Sequence, residues 1–431
     1  METLENKITY KQILMVFCES LGWAGVNVMG YVFSNYYSLI QGAFGYETIQ
    51  IANLNTIMAG ASAICYFFGG FFADIFKPKI NMTIGYLGLT ACGATMLALP
   101  GYNIMKLVAV LVSFFGLGFY IPCALKYIAA MGNRNQQSKL YGYFYMFAAI
   151  ESMLTTPFIS AIISKSGDYD GMKAMLFFFC GMMIISLLIH YLWVERAVIL
   201  AEKSKKAEAE KFSFKIVGDL LKNPNFYLVM LMACATTLPN HLNTYVQPLL
   251  QSEFGASSAV TQFVSQWANN GSAIILTPLA GIVAAKLGST MRVISFSILL
   301  GVVASGAMLI LPFDPAYMIL LVVLVFCLRG VFNIGKPARP SMVGESRLPS
   351  ASRGTINGLM FALTGVQKTG VSAFAAYALT SYEGATGYRM LYGISFVIMI
   401  ICFILALYFS KRLKRAKERD AVEGTPAGIM V

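Results

Sequence analysis

The residues best able to carry chemistry in this sequence are cations set within long apolar stretches. Arg329 lies near the middle of one stretch, and Lys368 lies near the middle of the next. Burying a charged side chain at mid-membrane depth costs at least ~2.5–3.5 kcal/mol, so each cation requires a partner or a function. A guanidinium group binds a carboxylate, phosphate or sulfonate through two hydrogen bonds, which indicates an anionic ligand. The structural alternative is pairing with buried acids, or with backbone carbonyls freed near Pro337 and Pro340.

Two further polar residues follow Arg329 at helical spacing. Asn333 and Lys336 come four and seven residues later, which places all three on one face of a helix. Lys336 can extend its ammonium group to the membrane surface, as long cationic side chains commonly do. We therefore expect Arg329, Asn333 and Lys368 to bind the substrate.

Two acids occupy comparable positions, Glu19 in the first apolar stretch and Glu151 in the fifth. Hydrocarbon disfavours the ionised form of a carboxyl group, so either acid could take up a coupling proton. Sodium remains open as the coupling ion. Either acid could instead be a fixed counter-ion of Arg329 or Lys368.

Uncharged polar residues and one histidine within the apolar stretches suit a ligand rich in hydroxyl groups. The candidates for substrate binding are Asn27, His241, Gln266 and Asn270. The alternative for each is an interhelical hydrogen bond, which stabilises membrane helices by only ~0.6–2 kcal/mol. The sequence has no metal-ligand cluster, phosphate loop or nucleophile elbow, so we expect no metal, no cofactor and no enzymatic activity.

These residues belong to a chain with the composition of a membrane protein. Of its 431 residues, 57% are hydrophobic and 12% are charged, about half the charged fraction of a soluble protein. Apolar stretches long enough to cross a bilayer of ~30 Å recur along the chain. The predicted fold is an all-α membrane protein with twelve transmembrane helices. The spans are 10–37, 47–75, 80–98, 104–131, 140–164, 173–195, 225–250, 258–285, 291–312, 316–338, 355–380 and 388–410.

The net charge of +12 follows from topology rather than from a nucleic-acid partner. Most lysines and arginines fall in loops and tails that are cytoplasmic if the N-terminus is inside, which satisfies the positive-inside rule. We therefore expect a multi-pass protein of the plasma (inner) membrane with both termini in the cytoplasm. Its basic C-terminal run is expected to contact lipid headgroups of the bilayer.

A charged linker divides the chain into two halves of six spans each. Glycines recur between the halves at nearly constant offsets: Gly70 matches Gly281 at 211 residues, and Gly142 matches Gly354 at 212. An even number of spans gives both halves the same orientation, which predicts a parallel repeat. The predicted domains are an N-terminal half 1–195, a cytoplasmic linker 196–224, a C-terminal half 225–411 and a cytoplasmic tail 412–431.

The layout of six plus six parallel spans resembles the major facilitator superfamily. Between spans two and three, residues 70–79 read GFFADIFKPK, similar to the superfamily's loop motif of glycine, a hydrophobic residue, a small residue, aspartate and basic residues. Ile75 and Lys77 depart from that motif, which usually has a basic residue and a glycine there. The turn Arg353-Gly354-Thr355 before span eleven also resembles the superfamily.

The resemblance implies alternating access, in which two halves rock about a substrate held near the bilayer midplane. It also implies that Asp74 acts as a conformational latch, paired near the start of span eleven and with nearby basic residues. The available partners are Lys79, Arg134 and the helix N-terminus near Gly354, whose dipole favours an anion.

We expect a secondary active transporter of a small polar, anionic organic solute, such as a sugar acid or organic acid, by proton- or sodium-coupled symport. The general pattern of the sequence is similar to superfamily branches that carry such solutes. One alternative is a multidrug or metabolite exporter, but the two intramembrane cations and the absence of a glycine–proline motif from span five argue against it. The other alternative is a membrane sensor that does not transport.

Overall fold

The structure is a computed structural model that describes most of the chain. Within the described residues the backbone is helical apart from short turns, and no strand occurs. The described residues are 8–30, 32–35, 37–194, 214–256, 260, 263–265, 267–349, 352–382 and 384–423.

The N-terminal part of the chain forms five long helices. They are α1 (Tyr10–Gly30), α2 (Thr48–Ile75), α3 (Pro78–Leu97), α4 (Tyr102–Ala130) and α5 (Arg134–Ile189). Short helical pieces, Val32–Asn35 and Tyr37–Phe44, follow α1. Two segments are π-helical, Phe114–Tyr120 within α4 and His190–Val194 after α5. Such π turns are rare and recur at functional sites.

The C-terminal part of the chain contributes a further seven labelled helices. They are α6 (Phe214–Lys222), α7 (Pro224–Leu242), α8 (Ser272–Leu287), α9 (Thr290–Ile310), α10 (Met318–Glu345), α11 (Arg353–Ser381) and α12 (Ala385–Glu423). Shorter pieces lie between them: Asn243–Tyr245, Val246–Ser252, the π-helical Trp267–Gly271 and Pro315–Tyr317.

Local chemistry sets several helix ends. At the start of α7, the Asn223 side chain accepts a hydrogen bond from the backbone N–H of Asn225. Pro224 occupies the first helical position. A backbone N–H at that position would have no partner within the helix, so proline, which lacks one, costs no helical hydrogen bond there. Gly288 caps the C-terminus of α8, and its φ of +61° is the left-handed conformation that glycine adopts without strain.

Helix length and hydropathy agree with a membrane-spanning fold. In the described part of the chain, nine helices are long and apolar enough to cross a membrane, and they coincide with predicted spans one to four, six, eight to ten and twelve. Predicted spans five and eleven are also helical, within α5 and α11. Predicted span seven consists of α7 and the two shorter helical pieces that follow it, Asn243–Tyr245 and Val246–Ser252. Large apolar side chains point outward, among them Ile310, which is 83% exposed, as expected of a surface that faces lipid. The predicted all-α membrane fold is confirmed.

One connection differs from the prediction. The sequence predicts a loop between spans five and six, but the backbone remains helical from Arg134 to Ile189. The connecting residues 165–172 contain no proline, so every backbone N–H remains available for a helical hydrogen bond. A polar segment marks where a chain can leave the membrane, but polarity alone does not break a helix.

The chain divides into two compact units. Unit 1 consists of Met1–Asn133, Phe147–Phe212 and Ala351–Gly365, and unit 2 consists of Arg134–Met146, Ser213–Ser350 and Val366–Val431. Each unit therefore takes most of its residues from one half of the sequence and a short segment, at the start of α5 or α11, from the other. The predicted domain limits near 195 and 225 remain predictions.

Within unit 1, α2 and α11 cross at glycines. A Cβ atom added to Gly70 would lie 2.6 Å from the Gly354 carbonyl oxygen and 3.1 Å from the Gly358 Cα. Real Cβ atoms do not approach backbone this closely, so the crossing requires the absence of a side chain. Small residues at such crossings allow membrane helices to pack backbone against backbone.

Within unit 2, the same kind of crossing occurs between α8 and α5. A Cβ atom added to Gly281 would collide with the Ser138 carbonyl oxygen and lie 3.0 Å from the Lys139 Cα. Ser138 thus occupies the position that Gly354 occupies in unit 1, although the sequence comparison paired Gly354 with Gly142. Ser138 lies 216 residues before Gly354, so the offset of 212 is wrong by one helical turn. Residues four apart share a helix face, and matching glycines alone cannot detect such a slip.

Substituting Gly358 by alanine should destabilise the protein. The new Cβ atom would lie 2.5 Å from the Tyr66 carbonyl oxygen and 2.7 Å from the Gly70 Cα, and overpacking of this kind costs about 1–3 kcal/mol. The measurement is thermal unfolding of the purified protein in detergent. Gly370→Ala on the same helix is the matched control, because no atom lies within 4 Å of its added Cβ. Equal melting temperatures for the two variants would contradict the crossing.

Candidate functional site

Asp74, near the C-terminal end of α2, binds the start of α11. Its Oδ1 accepts a hydrogen bond from the Gly354 N–H at 3.1 Å, and its Oδ2 accepts from the Thr355 N–H and hydroxyl at 2.7 and 2.9 Å. N–H groups in a first helical turn have no partner within the helix, and the helix dipole favours a negative charge there. The structure therefore brings together Asp74 and the N-terminus that the sequence proposed for it. We call Asp74, Lys126, Gly354 and Thr355 the latch.

The cation of the latch comes from α4. The Lys126 ammonium nitrogen lies 2.9 Å from Asp74 Oδ1, and the carboxylate is fully buried. The sequence offered Lys79 and Arg134 for this role. The Lys79 ammonium lies 4.6 Å from the centre of the Tyr191 ring, and the Arg134 side chain lies outside the described residues. Sequence reasoning missed Lys126, which reaches Asp74 through the packing of α4 against α2.

Three cations of α10 surround one aromatic ring. The guanidinium carbons of Arg329 and Arg339 lie 4.9 and 5.1 Å from the centre of the Phe332 ring, and the Lys336 ammonium nitrogen lies at 5.0 Å. Cations within ~6 Å of an aromatic face are attracted to its π electrons. Their spacings of three, four and seven residues from Phe332 place them on the same helix face. We call these four residues the cation cluster.

The cation cluster holds positive charge in a partly buried place. Arg339 is 7% exposed, and Arg329 and Lys336 are half-buried. All three cations lie near the same Phe332 ring, so any two of them lie within ~10 Å of each other. At that distance two like charges repel by about 1–2 kcal/mol at an effective dielectric constant of ~20. Among the described residues, Lys336 forms no hydrogen bond or ion pair. Arg339 Nε donates to the Gly335 carbonyl at 3.2 Å.

Sequence reasoning identified only part of this cluster. Arg329 and Lys336 were predicted to share a face, but Phe332 and Arg339 were not included. The available signal was the spacing, since Arg339 continues the same face after Lys336. A phenylalanine in an apolar span carries no signal of its own, because it also suits contact with lipid.

Glu19 of α1 pairs with a histidine that the sequence analysis did not single out. Glu19 Oε2 lies 2.8 Å from His190 Nδ1, and the two side chains are 0% and 1% exposed. His190 therefore takes the place of Arg329 or Lys368, the counter-ions that the sequence offered for Glu19. The available signal was an ionisable residue inside a predicted span, which by default requires an explanation.

Glu151 is held beside the same stretch of α1. The Ser20 hydroxyl, fully buried, donates a hydrogen bond to Glu151 Oε1 at 2.7 Å. Because Ser20 directly follows Glu19, the structure places both predicted acids at one level of α1. Whether either takes part in ion coupling stays a prediction at this point.

Asn333 and Lys368 have different surroundings. Asn333 is fully buried, and its amide nitrogen donates to the Ser272 hydroxyl at 2.7 Å, which ties α10 to α8. Lys368 is exposed, and Thr364, one turn earlier on the same face, is buried. The role of Asn333 and Lys368 in substrate binding stays a prediction.

The remaining candidates are distributed over three helical segments. His241 is buried within α7, Asn27 is half-buried within α1, and Asn270 is half-buried within the π-helical segment before α8. Gln266 lies outside the described residues. The role of these four residues in substrate binding stays a prediction.

Comparisons with known proteins agree with this architecture. Residues 13–367 match the family model described as Major Facilitator Superfamily. The chain is 21% identical over 410 residues to the inner membrane protein YihN of Escherichia coli (strain K12), covering 90% of this chain and 93% of that protein. It is 20% identical over 373 residues to the inner membrane protein YqcE of the same organism, covering 84% of this chain and 87% of that protein.

Solved structures of transporters share the fold. A bacterial homologue of the iron transporter ferroportin aligns with a TM-score of 0.72 and 13% identity, covering 93% of this chain and 98% of that chain. The proton:xylose symporter XylE aligns with a TM-score of 0.67 and 14% identity, covering 94% of this chain and 95% of that chain. At such identities the likeness establishes the fold alone. In the described part of this chain, no group of three or more His, Cys, Asp or Glu residues is placed to hold a metal ion.

Substituting Asp74 by asparagine should expose the first turn of α11 to solvent exchange. Hydrogen bonds to a charged group contribute about 1.5–3 kcal/mol, so the Gly354 and Thr355 amides should exchange roughly 10–100-fold faster. Hydrogen–deuterium exchange of the peptide that covers 352–361, followed by mass spectrometry, measures this change. Lys126→Gln should give a smaller increase, and Lys79→Gln should give none. The assignment of the cation is contradicted if Lys79→Gln accelerates exchange as much as Lys126→Gln.

Proposed function

Because this chain belongs to the major facilitator superfamily of transporters, we propose that it is a secondary transporter that moves a small anionic organic solute across the membrane by alternating access. The observation that carries this proposal is the cation cluster of α10, in which three cations lie within 5.1 Å of the centre of one ring. A sugar acid, an organic acid or an organic phosphate has the complementary charge.

The energy of the cation cluster favours an anionic ligand. Contact with one ring contributes about 0.5–2 kcal/mol per cation, which is comparable with the mutual repulsion of the cations. An anion placed among them would relieve that repulsion and add charge-assisted hydrogen bonds, since each guanidinium group presents a planar fork of donors. The half-buried Arg329 and Lys336 are the members best placed to reach such a ligand, whereas Arg339 is buried.

Two prolines within α10 leave backbone carbonyls without helical partners near the cation cluster. Pro337 and Pro340 lie inside α10, and each proline removes one helical hydrogen bond and frees the carbonyl four residues earlier. The carbonyls freed in this way are those of Asn333 and Lys336, within the stretch of α10 that carries the cation cluster. Arg329 and Lys336 keep exposed surface for a ligand.

The latch supplies a contact that can differ between states of a transport cycle. Asp74 receives two backbone N–H groups and one hydroxyl group at the start of α11, together with Lys126. We place this end of α2 on the cytoplasmic side of an inner membrane, with both termini in the cytoplasm, following the distribution of lysine and arginine. Formation and release of the latch would then favour or oppose closure on the cytoplasmic side.

Anionic solutes should stabilise the purified protein against heat, and their neutral analogues should not. A ligand at about 100 times its Kd adds ~2.7 kcal/mol to the free energy of unfolding. The screen compares gluconate with glucose, glucose 6-phosphate with glucose, a sulfonated sugar with its parent sugar, and dicarboxylates with their amides. Thermal unfolding in detergent is the measurement.

Arg329→Ala should abolish the stabilisation, because loss of one charge-assisted contact costs about 1.5–3 kcal/mol of binding. Arg389→Ala is the matched control, since the Arg389 guanidinium also lies over a phenylalanine, 5.5 Å from the centre of the Phe313 ring. This control should keep the response to anions. Stabilisation by neutral or cationic amphiphiles alone, unchanged in Arg329→Ala, would contradict the proposal and favour an exporter.

A further inference from the structure

Glu19 and His190 form a buried ionisable pair that neither the cation cluster nor the latch explains. Both side chains are almost completely buried, and Glu19 Oε2 lies 2.8 Å from His190 Nδ1. Replacing such a pair by apolar residues is often neutral or stabilising, so packing alone does not account for it. His190 also opens the π-helical segment His190–Val194, a distortion that is frequent at functional sites.

The side-chain atoms of Glu19 and His190 that do not contact each other have unused hydrogen-bonding capacity. Glu19 Oε1, His190 Nε2 and Ser186 Oγ are buried and form no hydrogen bond with the described residues. Ser186 precedes His190 by four residues, so the two lie on the same helix face. When Nδ1 carries the hydrogen bonded to Glu19, Nε2 presents a lone pair that can accept a proton. Each member of the pair therefore uses one side-chain atom in their mutual contact and has a second that forms no hydrogen bond with the described residues.

The surroundings of the pair are aromatic and carry little charge. The Tyr127 ring meets the His190 ring edge to face, with centroids 4.8 Å apart, and the Tyr120 hydroxyl donates to the Glu19 backbone carbonyl at 3.1 Å. Glu151 lies beside the pair through Ser20. The titratable groups that surround the pair, from α1, α3, α4, α5 and the π-helical segment, are Cys18, Tyr86, Tyr120, Cys123, Tyr127, Glu151 and Tyr191.

We propose that Glu19 and His190 together form a proton-binding site, and that the ion coupled to transport is a proton rather than sodium. The proton adds to Nε2 of neutral His190 and yields an imidazolium beside the Glu19 carboxylate, which changes the net charge of the pair from −1 to 0. Release of the proton from Nε2 reverses the change. A hard cation such as sodium takes oxygen ligands, whereas the partner of the Glu19 carboxylate here is an imidazole nitrogen. The proton site stands independently, whereas its coupling rests on the proposed transport function.

Histidine protonation can be observed directly, because the chain has two histidines. Full-length protein with isotope-labelled imidazoles gives two sets of magnetic resonance signals, and His241→Asn assigns the His190 set by elimination. His190 should convert from a neutral imidazole to a doubly protonated imidazolium as the pH is lowered. Glu19→Gln should reduce the doubly protonated population at a given pH, because it removes the carboxylate beside the imidazolium. Replacing sodium chloride by choline chloride should leave the signals unchanged.

Three results would overturn the proton site. They are a His190 ring that keeps one protonation state throughout, a Glu19→Gln variant that behaves as the wild type, and signals that shift with sodium at constant pH. Each can be read without any transported solute. Failure of the protein to transport anions would therefore not obscure the result.

Coupling is tested in proteoliposomes with gluconate and glucose 6-phosphate as the solutes. An inward proton gradient should accelerate uptake by the wild type, and an equal sodium gradient should not. In His190→Asn, which keeps a donor near the Nδ1 position but cannot bind the proton, exchange of solute should remain while acceleration by the gradient is lost. Acceleration by sodium, or full acceleration in His190→Asn, would overturn the coupling. Absence of any uptake or exchange by the wild type would count against the proposed transport function, and the imidazole signals would still decide the proton site.

Discussion

Hydrocarbon cannot solvate a charge, and the arrangement of this protein depends on that constraint. Each ionised group within a span must be compensated locally or placed where a ligand compensates it. Asp74 is compensated by two N–H groups, a hydroxyl and Lys126. Glu19 is paired with His190. The cations of α10 share the Phe332 ring, which offsets part of their repulsion. The latch thus carries its own charge compensation, whereas the other two sites are those proposed to bind a proton and an anion.

The two units share a pattern of helix crossing but differ in chemistry. Close contacts at Gly70 and Gly281 show that the crossing is repeated, yet Ala285 stands where the first copy has Asp74. The proposed proton site of Glu19 and His190 lies in unit 1, and the cation cluster lies in unit 2. The repeated crossing is thus a shared scaffold that carries the proposed proton site in one unit and the proposed anion site in the other.

Sequence reasoning succeeded where a property is carried by a whole segment. Hydropathy identified the spans and polarity identified the acids, because both depend on residue type within a long stretch. It could not identify Lys126 or His190 as partners, since each meets its acid through tertiary packing across more than fifty residues of chain.

The central claim is that the chain moves an anion rather than only binding one, and solute counterflow tests it most directly. Proteoliposomes loaded with unlabelled gluconate or glucose 6-phosphate would receive a trace of the same labelled compound outside. The account predicts transient accumulation of label by the wild type and its loss in Arg329→Ala, with no accumulation of labelled glucose in glucose-loaded vesicles. Binding of an anion without counterflow would contradict the account and would identify the protein as a sensor on a transporter fold.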